Sequence, residues 1–86
     1  MDKEDYRTSF EIFQPLAEQG HAKTQFYLGF LYRIGQGVNQ DFQKAYHWYS
    51  LAAEQGYAEA QYKVGLMYFK GQAVTQDFKK AFKWYS

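Results

Sequence analysis

The residues best suited to acid–base or metal chemistry are two histidines, His21 and His47, and the chain contains no cysteine. A zinc site takes several His or Cys ligands at set spacing, which this sequence does not offer. His21 directly follows a glycine that can end a helix, which favours a surface position. We therefore expect both histidines to be exposed, and we expect no catalytic residue, no metal and no cofactor.

Two Trp-Tyr pairs, Trp48-Tyr49 and Trp84-Tyr85, are the next residues that could form a binding site. An aromatic box of this kind can hold a ligand. The pairs stand 36 residues apart, however, within a longer repeat. Apolar positions that recur in a repeat protein form its core. We therefore expect these four rings to pack in the core.

An internal repeat of 36 residues positions these side chains. Pairing residues 14–50 with 50–86 gives 19 identities in 37 positions, and the string AEQG at 17–20 recurs at 53–56. A period of this length is typical of solenoids built from stacked helix pairs.

Each repeat is predicted to contain two helices, which makes the chain all-α with about five helices. Apolar residues in the first helix of each repeat follow the 3, 4 and 7 spacing of one helical face. The approximate bounds are 22–34, 41–55, 58–70 and from 77 onward, preceded by a degenerate second helix at 5–19. A bend is expected near 11–15, because Pro15 removes a backbone donor.

Local signals mark where these helices begin and end. Asp41 and Asp77 are predicted N-caps, because a carboxylate can accept hydrogen bonds from the free amides of the first turn. Gly20 and Gly56 stand where a glycine in the left-handed conformation ends a helix.

Two further glycines, one inside a helix and one in a turn, predict different structural features. Gly29 recurs as Gly65 inside a helix, where glycine costs up to about 1 kcal/mol relative to alanine. Its recurrence indicates a close approach of the partner helix. Gly37, in the turn between helices, becomes Ala73 in the second copy. If that position needs a positive φ, the second turn is strained or differently shaped.

Positions that differ between the two repeats are the candidates for partner binding, because shared positions must serve the stacking. One stripe on the first helix recurs at i, i+4, i+7 and i+11. It consists of Lys23, Tyr27, Phe30 and Ile34 in the first repeat and of Glu59, Lys63, Leu66 and Lys70 in the second. The stripe predicts a groove, apolar in its first half and charged in its second, that suits an extended peptide or a partner helix. The alternative is a mixture of solvated surface and inter-repeat core.

The repeated string resembles the Sel1-like repeat family, a relative of the tetratricopeptide repeat. The resemblance is carried by A-x-x-Q-F-Y-L-G-F-L-Y-R-I-G-Q-G-V at 22–38 and D-F-Q-K-A-Y-H-W-Y-S-L-A-A-E-Q-G at 41–56. The second copy, at 58–86, repeats these strings. The resemblance covers nearly the whole chain and is weakest over 1–16.

The resemblance implies an α/α superhelical solenoid whose first helices line a concave surface. Family members serve as adaptors that assemble protein complexes, and no catalytic residue set is implied. Thr24, Ala73 and the missing end of the last helix depart from the family pattern. The chain is therefore interpreted as a non-enzymatic scaffold that binds a partner peptide or helix on its concave face.

The repeat boundaries predict a single solenoid domain. The predicted domain covers residues 1–86. It consists of a degenerate half-repeat at 1–20, a full repeat at 21–56 and a second repeat at 57–86 that is truncated in its last helix. Phe82, Trp84 and Tyr85 lie at the end without a visible polar cap. An alternative function is therefore a structural fragment of a longer array that forms a homo-oligomer through this uncapped C-terminal end.

An enzymatic alternative follows from the cysteine-rich branch of the family, which has been linked to β-lactam binding or hydrolysis. That chemistry elsewhere uses a Ser-x-x-Lys element. Here Ser9 is followed at the third position by Ile12, and Ser50 by Ala53. We therefore do not expect the chain to be an enzyme.

Charge and composition argue against other partner classes. Ten Lys and Arg face nine Asp and Glu, without a basic run. Nucleic-acid binding needs a concentrated positive stripe, and a membrane-surface helix needs Lys and Arg on one face. No run approaches the ~18 apolar residues of a membrane span, and the start MDKEDYRTSF lacks a signal-peptide pattern. We expect a cytoplasmic chain with an unidentified protein or peptide partner, binding neither nucleic acid nor membrane.

Overall fold

The computed structural model describes the backbone of residues 3–85 and the side chains of residues 7–84. Within these limits the chain forms five α-helices and no strand. In chain order the helices are α1 (Lys3–Glu18), α2 (Ala22–Ile34), α3 (Phe42–Glu54), α4 (Ala58–Lys70) and α5 (Phe78–Tyr85). The all-α prediction of about five helices is confirmed, and the bounds of α2 and α4 are those expected from the repeat.

Each helix packs against the next one along the chain, from α1 on α2 through to α4 on α5. This serial packing is the arrangement of an α/α solenoid, because every element contacts its neighbours in sequence. The helix α1 runs through Pro15 without a break in its assignment. The expected bend near that residue stays a prediction.

The two predicted N-caps are confirmed. Asp41 has an extended backbone, with φ −154° and ψ 102°, and its carboxylate accepts a hydrogen bond from the Lys44 amide at 3.0 Å. The Asp77 carboxylate accepts from the Lys80 amide at 3.1 Å in the same way. Each cap therefore satisfies one of the free amides at the start of its helix and helps α3 and α5 begin at equivalent places.

The turn that precedes each of these helices contains two residues in the left-handed conformation: the glycine that ends the previous helix, Gly35 or Gly71, and a second residue two positions later. In the first repeat that second residue is Gly37, with φ 80°, and in the second repeat it is Ala73, with φ 64°. The condition for strain at Ala73 is therefore met, because a β-carbon is disfavoured at positive φ. Gly20 and Gly56 also have positive φ, at 95° and 89°, as expected for helix-ending glycines.

The core is centred where α3 packs between α2 and α4. The largest fully buried side chains are Leu28, Tyr49, Val64 and Met67. Half-buried aromatic rings, including Trp48 and Trp84, pack against this cluster. The core interpretation of the Trp-Tyr pairs is confirmed for Trp48, Tyr49 and Trp84, whereas the side chain of Tyr85 lies outside the described residues.

A repeated glutamine joins each first helix to the end of the helix before it. The side-chain amide of Gln25 donates to Ala17 O at 3.1 Å, and that of Gln61 donates to Ala53 O at 3.1 Å. The amide of Gln55 in turn donates to Gln25 Oε1 at 2.9 Å. Because Gln25 is buried, these bonds satisfy a polar group that is otherwise costly to remove from water. They also fix how one repeat stacks on the next.

The two histidines are exposed, as expected. Among the described residues no group of three or more His, Cys, Asp or Glu side chains could hold a metal ion. In the same part of the chain, none of the helices has both the length and the apolar character needed to cross a bilayer.

Candidate partner-binding surface

The eight predicted groove residues all reach the surface to some degree. Those that are exposed are Lys23, Tyr27, Glu59 and Lys70. Those that are half-buried are Phe30, Ile34, Lys63 and Leu66. Phe30 packs in part against the core cluster. The stripe is therefore a partly covered surface, and its use as a groove stays a prediction.

The first half of the stripe contacts α1. The Tyr27 ring stacks on Phe13 of α1, with ring centroids 5.8 Å apart and an angle of 22° between the planes. Lys23 Nζ lies 6.0 Å from the centre of the same Tyr27 ring. These contacts hold an aromatic side chain against α1 while 40% of Tyr27 stays exposed.

The second half of the stripe lines a small pocket, which we call the cation pocket. It has a volume of about 40 Å³ and is lined in part by Arg33 of α2, Tyr49 of α3, and Lys63, Leu66 and Lys70 of α4. Three of the predicted groove residues are thus brought together, and Arg33 and Tyr49, as well as Met67 and Gln72, join them.

Close helix packing places Tyr49 at this pocket. A β-carbon built on Gly29 would lie 2.8 Å from Tyr49 Cδ1 and 3.2 Å from Ala45 O. Because Gly29 has no side chain, α3 approaches α2 closely and the Tyr49 ring lies against the α2 backbone. The predicted packing role of Gly29 is confirmed, and Gly65 is also buried.

Positive charge is concentrated in the cation pocket. The pKa of Lys63 is lowered from its usual value, first by burial and then by the charges of Arg33 and Lys70. Glu59, one turn before Lys63, acts in the opposite direction but more weakly than either cation. The cluster therefore favours the approach of a negatively charged group.

Two hydrogen-bond donors in the cation pocket are buried and unsatisfied. Neither the Tyr49 hydroxyl proton nor Arg33 Nε–H has an acceptor among the described residues. The Arg33 side chain lies near the Tyr49 oxygen, but a guanidinium can only donate to it. Burial raises the pKa of Tyr49, and a hydrogen bond from the Arg33 side chain, followed by its charge, offsets part of that rise. The hydroxyl is therefore a neutral donor at physiological pH, in a pocket whose net charge is positive.

Arg33 and Tyr49 were missed by the sequence prediction. Arg33 stands opposite Phe69 in the repeat alignment, so it was a varied position, but it lies outside the i, i+4, i+7, i+11 stripe. Tyr49 recurs as Tyr85 and was assigned to the core. Its ring does pack there, while its hydroxyl reaches the pocket.

The profile of the Sel1 repeat matches residues 1–21, 22–57 and 58–86, which together are the whole chain. The chain belongs to the Sel1 repeat family. Sel1 repeat proteins are generally protein-interaction scaffolds, and their fold is typically non-catalytic. No match was found among curated proteins.

Two solved structures show the same solenoid. A Sel1 repeat protein from Oxalobacter formigenes is 38% identical with a TM-score of 0.89, over 91% of this chain and 22% of that one. A protective antigen of uropathogenic Escherichia coli strains with an SLR fold is 42% identical with a TM-score of 0.85, over 88% of this chain and 16% of that one. This chain therefore spans about a fifth or less of the length of these Sel1 relatives, and the predicted superhelical solenoid is confirmed.

A larger and more open pocket, of about 630 Å³, lies at the first interhelical turn of this Sel1 chain. Two of its polar side chains have structural partners, since Asp41 caps α3 and Lys44 Nζ lies 5.4 Å from the centre of the Tyr32 ring. Lys80 lies over Tyr68 at the same 5.4 Å in the second repeat. Because this arrangement recurs, it is part of the repeat fold and a weaker candidate for a specific site.

Apolar rings are exposed at the other end of the Sel1 array. Phe78 and Phe82 of α5 are 56% and 75% exposed. Phe69 of α4 contacts Phe78, with ring centroids 5.5 Å apart. Exposed apolar side chains that lie together, as Phe69 and Phe78 do, are a feature of protein contact sites.

Proposed function

We propose that this Sel1 repeat chain is a scaffold that holds a peptide or helix of a partner protein along the concave face formed by α2 and α4. One observation carries the proposal. Shared positions such as Gly29, Ala45 and Tyr49 are buried, whereas none of the eight varied stripe positions is fully buried. The stacking of the repeats explains why the shared positions are buried. The varied stripe positions remain accessible to a partner.

The two halves of the stripe indicate what such a partner carries. Tyr27 and Phe30 offer aromatic surface in the first repeat, and Tyr and other aromatic residues are common anchors at protein interfaces. Lys63 and Lys70 offer positive charge in the second repeat. A partner segment with an apolar residue at one end and an acidic residue at the other complements both halves.

Peptide display on the folded chain tests this proposal. Wild type is expected to enrich related peptides from a random library, and the double variant Tyr27→Ala/Lys63→Gln is expected to bind them at least about tenfold more weakly. The matched control is Ile12→Ala/Lys79→Gln, which removes one exposed apolar and one exposed cationic side chain outside the stripe. Failure to enrich any peptide, or equal binding by both folded double variants, would contradict the proposal.

Self-association is a second candidate, favoured by the exposed rings of Phe78 and Phe82. In this function a second copy of the chain covers α5, and the protein is a structural element of a larger assembly. The two candidates use different residues, so variants on α5 separate self-association from partner binding by the stripe on α2 and α4.

We further infer that the chain acts in the cytoplasm and without catalysis. The absence of cysteine suits a reducing compartment. Neither Ser9 nor Ser50 is followed by a lysine at the third position, which the Ser-x-x-Lys chemistry requires. Cell fractionation checks the compartment, and turnover of a chromogenic β-lactam such as nitrocefin would contradict the non-enzymatic assignment.

A further inference from the structure

The cation pocket combines features that the packing of the solenoid does not require. Arg33, Lys63 and Lys70 bring three positive charges to it from two helices. Their counterparts in the other repeat are Phe69, Tyr27 and Ile34, so none of the three charges recurs. Like charges that converge on a partly buried site oppose folding unless a ligand compensates for them.

The floor of the pocket supplies hydrogen-bond donors that have no acceptor. Tyr49 has no exposed surface, and its hydroxyl proton finds no acceptor in the described part of the chain, since the neighbouring Arg33 can only donate. Arg33 Nε is buried and likewise unpaired there. Buried donors in proteins are nearly always satisfied, so two at one pocket indicate an acceptor that binds from outside.

We propose that the cation pocket is a binding site for a carboxylate of the partner peptide. One carboxylate oxygen accepts from Arg33 Nε and the other from the Tyr49 hydroxyl, while Lys63 and Lys70 supply the positive field at the rim. This inference rests on the proposed scaffold function and deepens it by naming the group that is recognised.

The size and donors of the pocket favour a carboxylate. A volume of about 40 Å³ accommodates a small planar group and leaves little room for more. A carboxylate has two oxygens for two donors, and hydrogen bonds to a charged acceptor are stronger than those between neutral groups. The carboxylate comes either from an acidic side chain or from the C-terminus of the partner, and both sources present the same atoms.

A titration of the full chain followed by ¹H–¹⁵N correlation spectra tests the pocket without a partner. The probes are Ac-Glu-NH₂ for a side-chain carboxylate, N-acetylglycine for a terminal carboxylate, and the neutral Ac-Gln-NH₂ as the matched control. Ionic strength is held constant. We expect saturable shifts of the Arg33 Nε–H resonance with at least one carboxylate probe, and no saturable shift with Ac-Gln-NH₂.

Variants then assign the donors. Tyr49→Phe keeps the ring in the core and removes only the hydroxyl, so it is expected to fold and to bind the carboxylate probe about tenfold more weakly. Lys63→Gln is also expected to weaken binding. Lys79→Gln, which introduces the residue found at the equivalent Gln43, is expected to bind as wild type does.

Several results would overturn the carboxylate site. They are the absence of a saturable shift with either acid, equal shifts with Ac-Gln-NH₂, unchanged binding by folded Tyr49→Phe, or tighter binding of inorganic phosphate than of both carboxylates. The display experiment separates this failure from failure of the scaffold proposal. Enriched peptides that share no carboxylate retain the scaffold and overturn the site. A pocket that binds Ac-Glu-NH₂ in a chain that enriches no peptide retains the site and overturns the scaffold.

Discussion

The Tyr49 ring packs directly on the backbone at Gly29, where an added β-carbon would lie 2.8 Å from Tyr49 Cδ1. This contact closes the interface between α2 and α3. The same contact places the Tyr49 hydroxyl at the cation pocket, so helix packing and the candidate site depend on one pair of residues.

Gly29→Ala is expected to destabilise the fold. Alanine improves helix propensity by up to about 1 kcal/mol, but overpacking a tight interface typically costs about 1–3 kcal/mol. The backbone oxygen of Ala45, 3.2 Å from the added carbon, limits how far the helices can adjust. Thermal unfolding followed by circular dichroism measures the effect. A melting temperature at or above that of wild type would show that the interface has room for the methyl group.

Exchanging residues between the two turns is expected to change stability in opposite directions. Ala73 has φ 64°, a conformation that costs a non-glycine residue about 1–2 kcal/mol, so Ala73→Gly should stabilise the fold by about 0.5 kcal/mol after the entropy of glycine is included. The reverse change at the equivalent Gly37, with φ 80°, should destabilise it. Urea unfolding of both variants provides the comparison, and a stability change of the same sign in both would refute the explanation.

Tyr49→Phe is expected to stabilise the free chain while it weakens carboxylate binding. A buried hydroxyl proton without an acceptor costs about 1–3 kcal/mol, and removing the hydroxyl relieves that cost without changing the shape of the ring. We expect this gain to exceed the loss of the contact between the Tyr49 oxygen and Arg33. The midpoint of urea unfolding should therefore rise at pH 7. A fall in that midpoint would mean that the hydroxyl is already satisfied in the free chain, which would count against the site as well.

Alkaline pH is expected to destabilise the fold through the tyrosines. The hydroxyls of Tyr46 and Tyr68 are 2.6 Å apart, and this hydrogen bond, followed by burial, raises the pKa of Tyr68 to about 12. A raised pKa in the folded state means that the unfolded chain loses the proton first. Stability is therefore full below pH 10, the usual tyrosine value, and falls as pH rises from 10 towards 12.

The variant Tyr46→Phe isolates that contribution. It removes the hydrogen bond that is the main cause of the shift, so its stability should fall less steeply than that of wild type between pH 10 and 12. Comparing the two slopes cancels the titration of the lysines. Urea midpoints at pH 9, 10 and 11 provide the measurement, and parallel slopes would contradict the assignment.

Self-association through α5 has its own expected signature. If a second copy covers Phe78 and Phe82, the mass from light scattering should rise above 10.2 kDa as concentration increases a hundredfold. Phe82→Glu should return the mass to that of a monomer, whereas Tyr27→Glu, on α2, should not. A wild-type chain that stays monomeric at the highest concentration would remove this candidate.

The helices and their caps could be predicted because the residues that start, end or pack each helix occur in both repeats. Asp41 and Asp77 begin equivalent helices, and Gly29 recurs as Gly65 where a neighbouring helix must come close. Such signals depend on residues near each other in sequence. A helix cap formed by an aspartate, or a close helix contact at a glycine, can therefore be predicted from the sequence alone.

The cation pocket could be predicted only in part. Lys63, Leu66 and Lys70 share one face of α4, and their spacing shows this. Arg33 joins them from α2 because of the angle at which one repeat stacks on the next, and no local spacing encodes that angle. The recurrence of Tyr49 predicts only that the whole residue lies in the core. The structure places its ring in the core and its hydroxyl at the cation pocket, a difference within one side chain that a sequence pattern cannot express.

The hydrogen bonds from Gln25 to Ala17 O and from Gln61 to Ala53 O have an evolutionary consequence. Each repeat is joined to the previous one by the same amide and the same carbonyl position. If residues 21–56 were deleted by recombination between the repeats, Gln61 would follow Ala17 at the distance that Gln25 now does. A gene for this chain can therefore gain or lose whole repeats while the same hydrogen bond between neighbouring repeats is kept. The charged residues on α2 and α4 can diverge independently in each copy.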